Sequence, residues 1–170
     1  YKNTKVVLDE IDTVDLEKKY VHGKENSYPF DYLILAAGGT HNYFGNEKWE
    51  ADAPGLKTIA QATEIRRRIM TAFEKAEITE DTIERRRQLT FVVVGGGPTG
   101  VELAGAIGEM TRFTLAKDFR SIDPKLTRII LAEAGNRILP SFDKDLSSKA
   151  TRDLESIGVQ VWTKSPVTNI

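Results

Sequence analysis

The spacing of apolar positions changes along this chain of 170 residues and divides it into three blocks. Residues 4–35 read as strand-rich. Thr4–Leu8 is a short β-prone run, Thr13–Leu16 and Lys19–Val21 alternate, and His22-Gly23 marks a turn. Asp31 then leads into Tyr32-Leu33-Ile34-Leu35-Ala36-Ala37-Gly38-Gly39. A short apolar run that ends in glycines predicts a fully buried strand opening into a tight loop. From Thr40 to Gly55 the chain is polar and aromatic and reads as loop. A helix is expected over 60–78, where Ile65, Ile69, Ala72, Phe73 and Ala76 recur at spacings of three and four. The third block alternates strands and helices. Leu89–Val94 is β-branched and apolar, and Gly95-Gly96-Gly97-Pro98-Thr99-Gly100 follows directly. Val101 to about Thr111 reads as helix, with Leu103, Ala104, Ile107 and Met110 on one side. Arg128–Glu133 is a second strand. A helix N-capped by Asp143 runs to Ile157 with Leu146, Ala150, Leu154 and Ile157 as its stripe. Gly158 is placed to end that helix before a third strand, Val159–Thr163.

Strand–helix–strand–helix–strand with right-handed crossovers is the parallel half-unit of a nucleotide-binding fold. The expected class is therefore α/β: a Rossmann-like dinucleotide-binding domain (parallel βαβαβ) over residues 58–170. A strand-rich segment over residues 1–57 precedes it. Composition narrows the chemistry. With 40% hydrophobic residues there is enough apolar material for a core. The longest apolar run, Tyr32 to Ala37, is far short of the roughly 20 residues of a transmembrane helix. No signal-peptide pattern opens the chain. A count of 24 Lys+Arg against 25 Asp+Glu gives a formal charge of −1, so no global field draws in nucleic acid. Arg66-Arg67-Arg68 and Arg85-Arg86-Arg87 stand among acidic neighbours and read as a solvated, ion-paired face, the second triplet lying in a polar stretch. The absence of cysteine excludes a thiol relay or a Cys-ligated metal within this stretch. His22 and His41 have no ligand-like spacing, so no metal site is expected.

The glycine loop stands where a G-x-G-x-x-G has physical meaning, after a strand and opening a helix. Gly95 permits the turn out of the strand. Gly97 lets the backbone approach a pyrophosphate without a Cβ, and Gly100 allows close packing of helix on sheet. The amides of the first helical turn then face the phosphates. No Gly-Lys-Ser/Thr follows, which argues against a P-loop. Glu133, at the end of the second strand, is the expected partner of the adenosine ribose hydroxyls and opposes a 2′-phosphate, so it favours NADH over NADPH. It lies 33 residues beyond Gly100, an excess that the polar Arg112–Thr127 stretch accounts for as an insertion. Ala104, where glycine often accompanies NAD binding, and Arg137, within reach of a 2′-phosphate, weigh the other way. Glu102 reads either as a surface charge complementing the helix dipole or as a group facing the nicotinamide.

Val93-Val94-Gly95-Gly96-Gly97-Pro98-Thr99-Gly100-Val101-Glu102-Leu103-Ala104-Gly105 resembles the NADH-binding loop of type II NADH dehydrogenases, the single-subunit FAD-containing NADH:quinone oxidoreductases of the pyridine nucleotide-disulphide oxidoreductase superfamily. Asp31 to Gly39, Asn42-Tyr43-Phe44-Gly45 and Glu133-Ala134-Gly135-Asn136-Arg137-Ile138-Leu139-Pro140 resemble further segments of that family, in the same order. The resemblance implies that Gly95, Gly96, Gly97, Pro98, Thr99 and Gly100 hold the NADH pyrophosphate and Glu133 its ribose. It implies that Glu102 lies between NADH and flavin as the catalytic-site glutamate, and that Ala37, Gly38 and Gly39 approach FAD. Alanine stands at 37 where the superfamily often has threonine. The implied reaction is hydride transfer from NADH to FAD and delivery of electrons to a quinone, in a respiratory chain. The implied setting is a peripheral protein on the cytoplasmic face of the cell membrane, with homodimerisation left open.

An N-terminal Gly-x-Gly-x-x-Gly for FAD and a C-terminal flavin and membrane segment are missing from these residues. The chain is therefore expected to be an internal part of such an enzyme, beginning in the FAD domain. By itself it is expected neither to hold FAD tightly nor to reduce quinone. Two other readings stay open: the NADH-binding module of another FAD-dependent reductase, and a non-catalytic NADH-sensing domain.

Overall fold

The computed structural model describes residues 2–170, which fall into two compact units, one running to Gly39 and one from Thr40 to Ile170. In the first, β1 (Ile11–Asp15), β2 (Tyr20–Gly23) and β3 (Ser27–Pro29) form an antiparallel sheet in that order. Val21 is the central residue, opposite Val14 on one side and Tyr28 on the other. His22 and Gly23 are the last residues of β2, and the turn expected there opens at Gly23, whose amide donates to the Asn26 carbonyl (2.8 Å); the His22 ring Nδ1 is 2.8 Å from Ser27 Oγ across it. The chain also reverses between β1 and β2, where Asp15 Oδ1 accepts the amides of Glu17 (3.1 Å) and Lys18 (2.8 Å) and Lys19 takes φ 56°.

Two expected strands do not form. Thr4–Leu8 is irregular, and Tyr32 to Ala37 is neither a strand nor buried, with Tyr32 96%, Ile34 90% and Leu35 73% exposed. A strand exists only when neighbouring backbones accept and donate its hydrogen bonds. Among the described residues no strand pairs with either run.

The second unit opens with a 3₁₀ turn, Glu47–Ala51, inside the stretch expected to be loop. Tyr43 donates its hydroxyl to the Ala53 carbonyl (2.7 Å), and Arg68 donates to the carbonyls of Ala51 (2.9 Å) and Asp52 (3.1 Å). Arg68 belongs to α1 (Ile59–Ile78), which Thr58 and Gln61 start with a reciprocal capping box. Ile69, Phe73 and Ala76 are its buried stripe. Arg67 and Arg68 pair with Glu64, at 2.8 and 2.7 Å, and hold its carboxyl down to about 2. The second arginine triplet lies in a helix the hydrophobic pattern did not reveal, α2 (Thr82–Gln88). Capping builds this helix. Asp81 accepts the Ile83 and Glu84 amides, and Arg85 donates to the carbonyls of Ala76 and Thr79 at the end of α1.

Three parallel strands follow, β4 (Thr90–Val94), β5 (Arg128–Ala132) and β6 (Val159–Trp162), in the order β4-β5-β6. Val93 pairs with Leu131 and Leu131 with Val161. The linking helices are α3 (Pro98–Glu109) and α4 (Lys144–Ser156), the alternation the sequence predicts. Val93, Ala104, Ile107, Ile129, Leu131, Leu154 and Val159 make the core with α1. The Phe73 ring sits 5.6 Å from both Phe91 and Phe119. The stripe of α4 departs from expectation at its start. Leu146 is 52% exposed, and Ser147 is buried in its place because its hydroxyl satisfies the buried Ile138 carbonyl (2.7 Å). Asp143 takes the N-cap position but makes no side-chain cap, and Gly158, with φ 84°, ends the helix as expected.

The 112–127 stretch is more than a polar insertion. It contains buried Leu115, Ile122 and Pro124, and a π-helical turn, Met110–Thr114, leads into it. Glu77 of α1 ties it down by accepting the amides of Arg120 (2.9 Å), Ser121 (2.9 Å) and Ile122 (3.2 Å). Burial pushes this carboxyl up, but the amide donors outweigh it and hold it below the ordinary 4.5. A depressed carboxyl stabilises the folded state above its unfolded value and loses that contribution as pH falls through the folded one. Amide exchange of Arg120, Ser121 and Ile122 is therefore expected to accelerate, relative to β5, once pH drops below 4.5. Glu77→Ala should give the same opening at neutral pH. Equal protection in the variant would show that the clamp is idle.

Candidate functional site

The glycine loop is closed on one side and open on the other. Its first residue, Gly95, turns the chain out of β4 at φ 101°, a conformation that L side chains rarely adopt. The Gly95 amide still bonds to the Ala132 carbonyl (2.8 Å), so the loop starts from the sheet itself. Gly100, in the first turn of α3, packs directly onto that start. A Cβ there would lie 1.9 Å from the Gly95 carbonyl oxygen. A Cβ at Gly96 would lie 2.8 Å from Ile138 Cγ2 and 2.9 Å from Glu133 Oε2. Gly97 is different. It N-caps α3 at φ −74°, ψ 178°, and nothing lies within 4 Å of where its Cβ would be. Pro98 follows at the first helical position, where its missing N–H costs nothing. The amides of Thr99 and Gly100 point out of the helix with no carbonyl one turn back. The open face beside Gly97 is thus lined by free donors at the positive end of a helix dipole.

Glu133 follows the last residue of β5 and bridges two loops. Its Oε2 accepts the Gly96 amide (2.6 Å) and its Oε1 accepts the Gly135 amide (2.6 Å). Each carboxylate oxygen keeps a second lone pair, so both stay able to accept a hydroxyl. The Glu133 backbone is pinned to the sheet end through the Trp162 carbonyl (2.8 Å) and the Ser165 amide (2.9 Å). The structure therefore brings Gly95, Gly96, Gly97, Pro98, Thr99, Gly100 and Glu133 together.

The Arg137 guanidinium donates to the carbonyls of Phe142 (2.7 Å), Pro140 (2.6 Å) and Leu139 (3.4 Å). Ile138 and Leu139 also belong to the site, which sequence reasoning missed. Ile138 is fully buried against Gly96, and the Leu139 amide donates to the Gly96 carbonyl (2.6 Å). Their signal was an apolar pair outside any strand or helix period. Glu102 is exposed on α3, and among the described residues its side chain makes no hydrogen bond or ion pair. Ala37, Gly38 and Gly39 end the other unit, exposed, with Gly38 at φ 75° and no atom within 4 Å of a Cβ at either glycine. They offer accessible backbone but no walls, so these residues alone do not form an FAD pocket. His41 Nε2 lies 3.3 Å from Glu50 Oε1.

A parallel βαβαβ unit with a glycine turn between its first strand and helix defines a Rossmann-like fold. The family model of pyridine nucleotide-disulphide oxidoreductases matches residues 1–170, and the chain belongs to that family. It is 46% identical over 173 residues to the type II NADH:quinone oxidoreductase NdhA of Mycobacterium tuberculosis, covering 99% of this chain and 37% of the relative. To the type II NADH:quinone oxidoreductase Ndh of the same organism it is 40% identical over 173 residues, with the same 99% and 37% coverage. Among solved structures, that of NDH2 from Plasmodium falciparum in complex with NADH is similar, with a TM-score of 0.75 and 28% identity. That match covers 95% of this chain and 34% of the other. The chain spans little more than a third of the length of these relatives.

Proposed function

We propose that this chain is the NADH-binding part of a flavoprotein that passes hydride from NADH to FAD and electrons on to a quinone. The observation that carries the nucleotide half is the open face at Gly97, walled by the free amides of Thr99 and Gly100 and flanked by the amide-held Glu133 carboxylate. A pyrophosphate fits that donor set: two unpaired N–H groups at a helix N-terminus favour an anion. A ribose diol fits Glu133, whose oxygens each keep one acceptor site. When bound, nicotinamide supplies a hydride and flavin accepts it; no strong acid or base is required of the chain. The chain's part is positioning. Gly97 admits the phosphates, Glu133 fixes the adenosine end, and Glu102 faces the reacting end from the second turn of α3. Ala37, Gly38 and Gly39 supply approachable backbone toward FAD, the rest of whose site lies outside these residues.

The names of the relatives, NADH:quinone oxidoreductases, support quinone as the electron acceptor. Among the described residues no helix is long and apolar enough to cross a membrane. Calorimetric titration of the chain with NADH, NADPH and ADP tests the reading. NADH and ADP are expected to bind, and NADPH more weakly than NADH. Absence of binding by all three would remove the dinucleotide reading, and tighter NADPH binding would take Glu133 out of its role.

A further inference from the structure

We propose that Arg137 is a positioning residue of the phosphate turn. By bracing the loop from Arg137 to Phe142 it fixes Gly96, and through Gly96 the carboxylate of Glu133. The nucleotide-binding consequences rest on the function proposed above.

Arg137 is an arginine whose charge meets no carboxylate among the described residues. Four residues after Glu133, on a polar turn, Arg137 would be expected to pair with that carboxylate or to meet a phosphate. It forms no ion pair among the described residues, and its two terminal nitrogens donate to the carbonyls of Leu139, Pro140 and Phe142. Those carbonyls belong to a segment without helix or strand, so no regular ladder satisfies them. A planar guanidinium with donors on both arms can gather diverging carbonyls. The loop it gathers is a constrained one. Leu139 sits at φ 50°, which a leucine adopts only where its surroundings impose it. The imposing groups are visible on both sides of the residue: its amide donates to the Gly96 carbonyl (2.6 Å), and its own carbonyl accepts the Phe142 amide (3.0 Å) and, at longer range, Arg137 (3.4 Å), which also holds the Phe142 carbonyl (2.7 Å).

Gly96 is held at three points, and two of them come from this loop. Its carbonyl takes the Leu139 amide, and its α-carbon rests against Ile138, so closely that a Cβ would meet Ile138 Cγ2 at 2.8 Å. Its amide donates to Glu133 Oε2 (2.6 Å). Ile138 is anchored in turn by Ser147, whose hydroxyl donates to the Ile138 carbonyl (2.7 Å). Without the guanidinium, the Pro140 and Phe142 carbonyls lose their side-chain donor, and the turn that holds Leu139 at φ 50° keeps only its Phe142 amide bond. Gly96 then loses its carbonyl partner, and Glu133 loses the donor that aims its Oε2.

Two variants of the full chain, Arg137→Gln and Arg137→Lys, separate this brace from a role for charge. Lysine keeps the charge, but a single ammonium cannot span all three carbonyls. In amide NMR spectra both variants are expected to shift the Gly96 and Gly135 resonances while those of α1 stay in place. By calorimetry both should lose affinity for NADH and NADPH by the same factor, about tenfold, the order expected for roughly one lost hydrogen bond's worth of positioning. An unmoved Gly96 amide with unchanged affinities would overturn the proposal. So would full affinity in the lysine variant, which would assign charge alone, and so would a loss confined to NADPH, which would make Arg137 a 2′-phosphate reader. If the unaltered chain binds neither coenzyme, the functional reading fails, and the Gly96 resonance still decides whether the brace exists.

Discussion

Alanine at Gly97 is expected to leave the chain folded and to remove most of its affinity for NADH, whereas alanine at Gly100 should damage the fold itself. The two glycines stand three residues apart in one turn, yet their surroundings are opposite. At Gly97 the backbone is ordinary, φ −74° and ψ 178°, and a Cβ meets nothing within 4 Å. Alanine is a poorer N-cap than glycine, but it also lowers the entropy of the unfolded chain, so the net change in stability should be within about 1 kcal/mol. The new methyl group would stand on the open face from which the Thr99 and Gly100 amides are reached. Losing one or two hydrogen bonds to an anionic group amounts to about 3 kcal/mol, or about a hundredfold in affinity. At Gly100 a Cβ would lie 1.9 Å from the Gly95 carbonyl oxygen. That oxygen is backbone, and its own residue is tied to Ala132, so it has no rotamer to yield. Overpacking of this kind costs about 3 kcal/mol, and a thermal midpoint lower by about 10 °C is expected. Thermal unfolding and NADH titration of both variants check the pair. A destabilised Gly97→Ala, or one that binds NADH normally, would mean that the open face is not the phosphate site.

Replacing Glu133 by glutamine should weaken NADH by about ten- to a hundredfold and leave NADPH nearly unchanged, so that the preference between them narrows or reverses. The side chain keeps its length, but only one of its two ends can still accept an amide. Either Gly96 or Gly135 then faces an NH₂ where it met an oxygen. Hydrogen bonds to a charged acceptor are worth about 1.5–3 kcal/mol each, which sets the expected loss. For NADPH the lost bonds are offset by removal of a negative charge that opposes its 2′-phosphate. Affinities for both coenzymes, measured at one ionic strength, decide the matter. Parallel losses for the two would show that Glu133 shapes the turn without selecting the coenzyme.

Much of this was legible in local pattern. The period of three and four over 60–78 predicts α1, and the β-branched run before Gly95 predicts β4. The position of Glu133 at a strand end also follows from spacing alone, because these features depend on the residues themselves and their near neighbours. α2 was hidden, since its seven residues carry no repeating apolar stripe and its ends are made by Asp81 and by Arg85 reaching back to α1. The Tyr32–Ala37 run has the composition of a buried strand, and its exposure reflects partners that composition cannot supply. By itself the sequence determined the order of strands and helices and the chemistry available at the glycine turn, both set by short-range periodicity and residue type. Only the tertiary structure decided which glycine is open and which is sealed, that Glu133 is held by two amides, and that Arg137 donates to three carbonyls of its own loop. Gly96 and Glu133 stand 37 residues apart and meet only in the folded backbone, whereas the contacts of Gly100 with Gly95 and of Arg137 with its own loop are short in sequence but depend on a backbone path that residue type and periodicity do not specify.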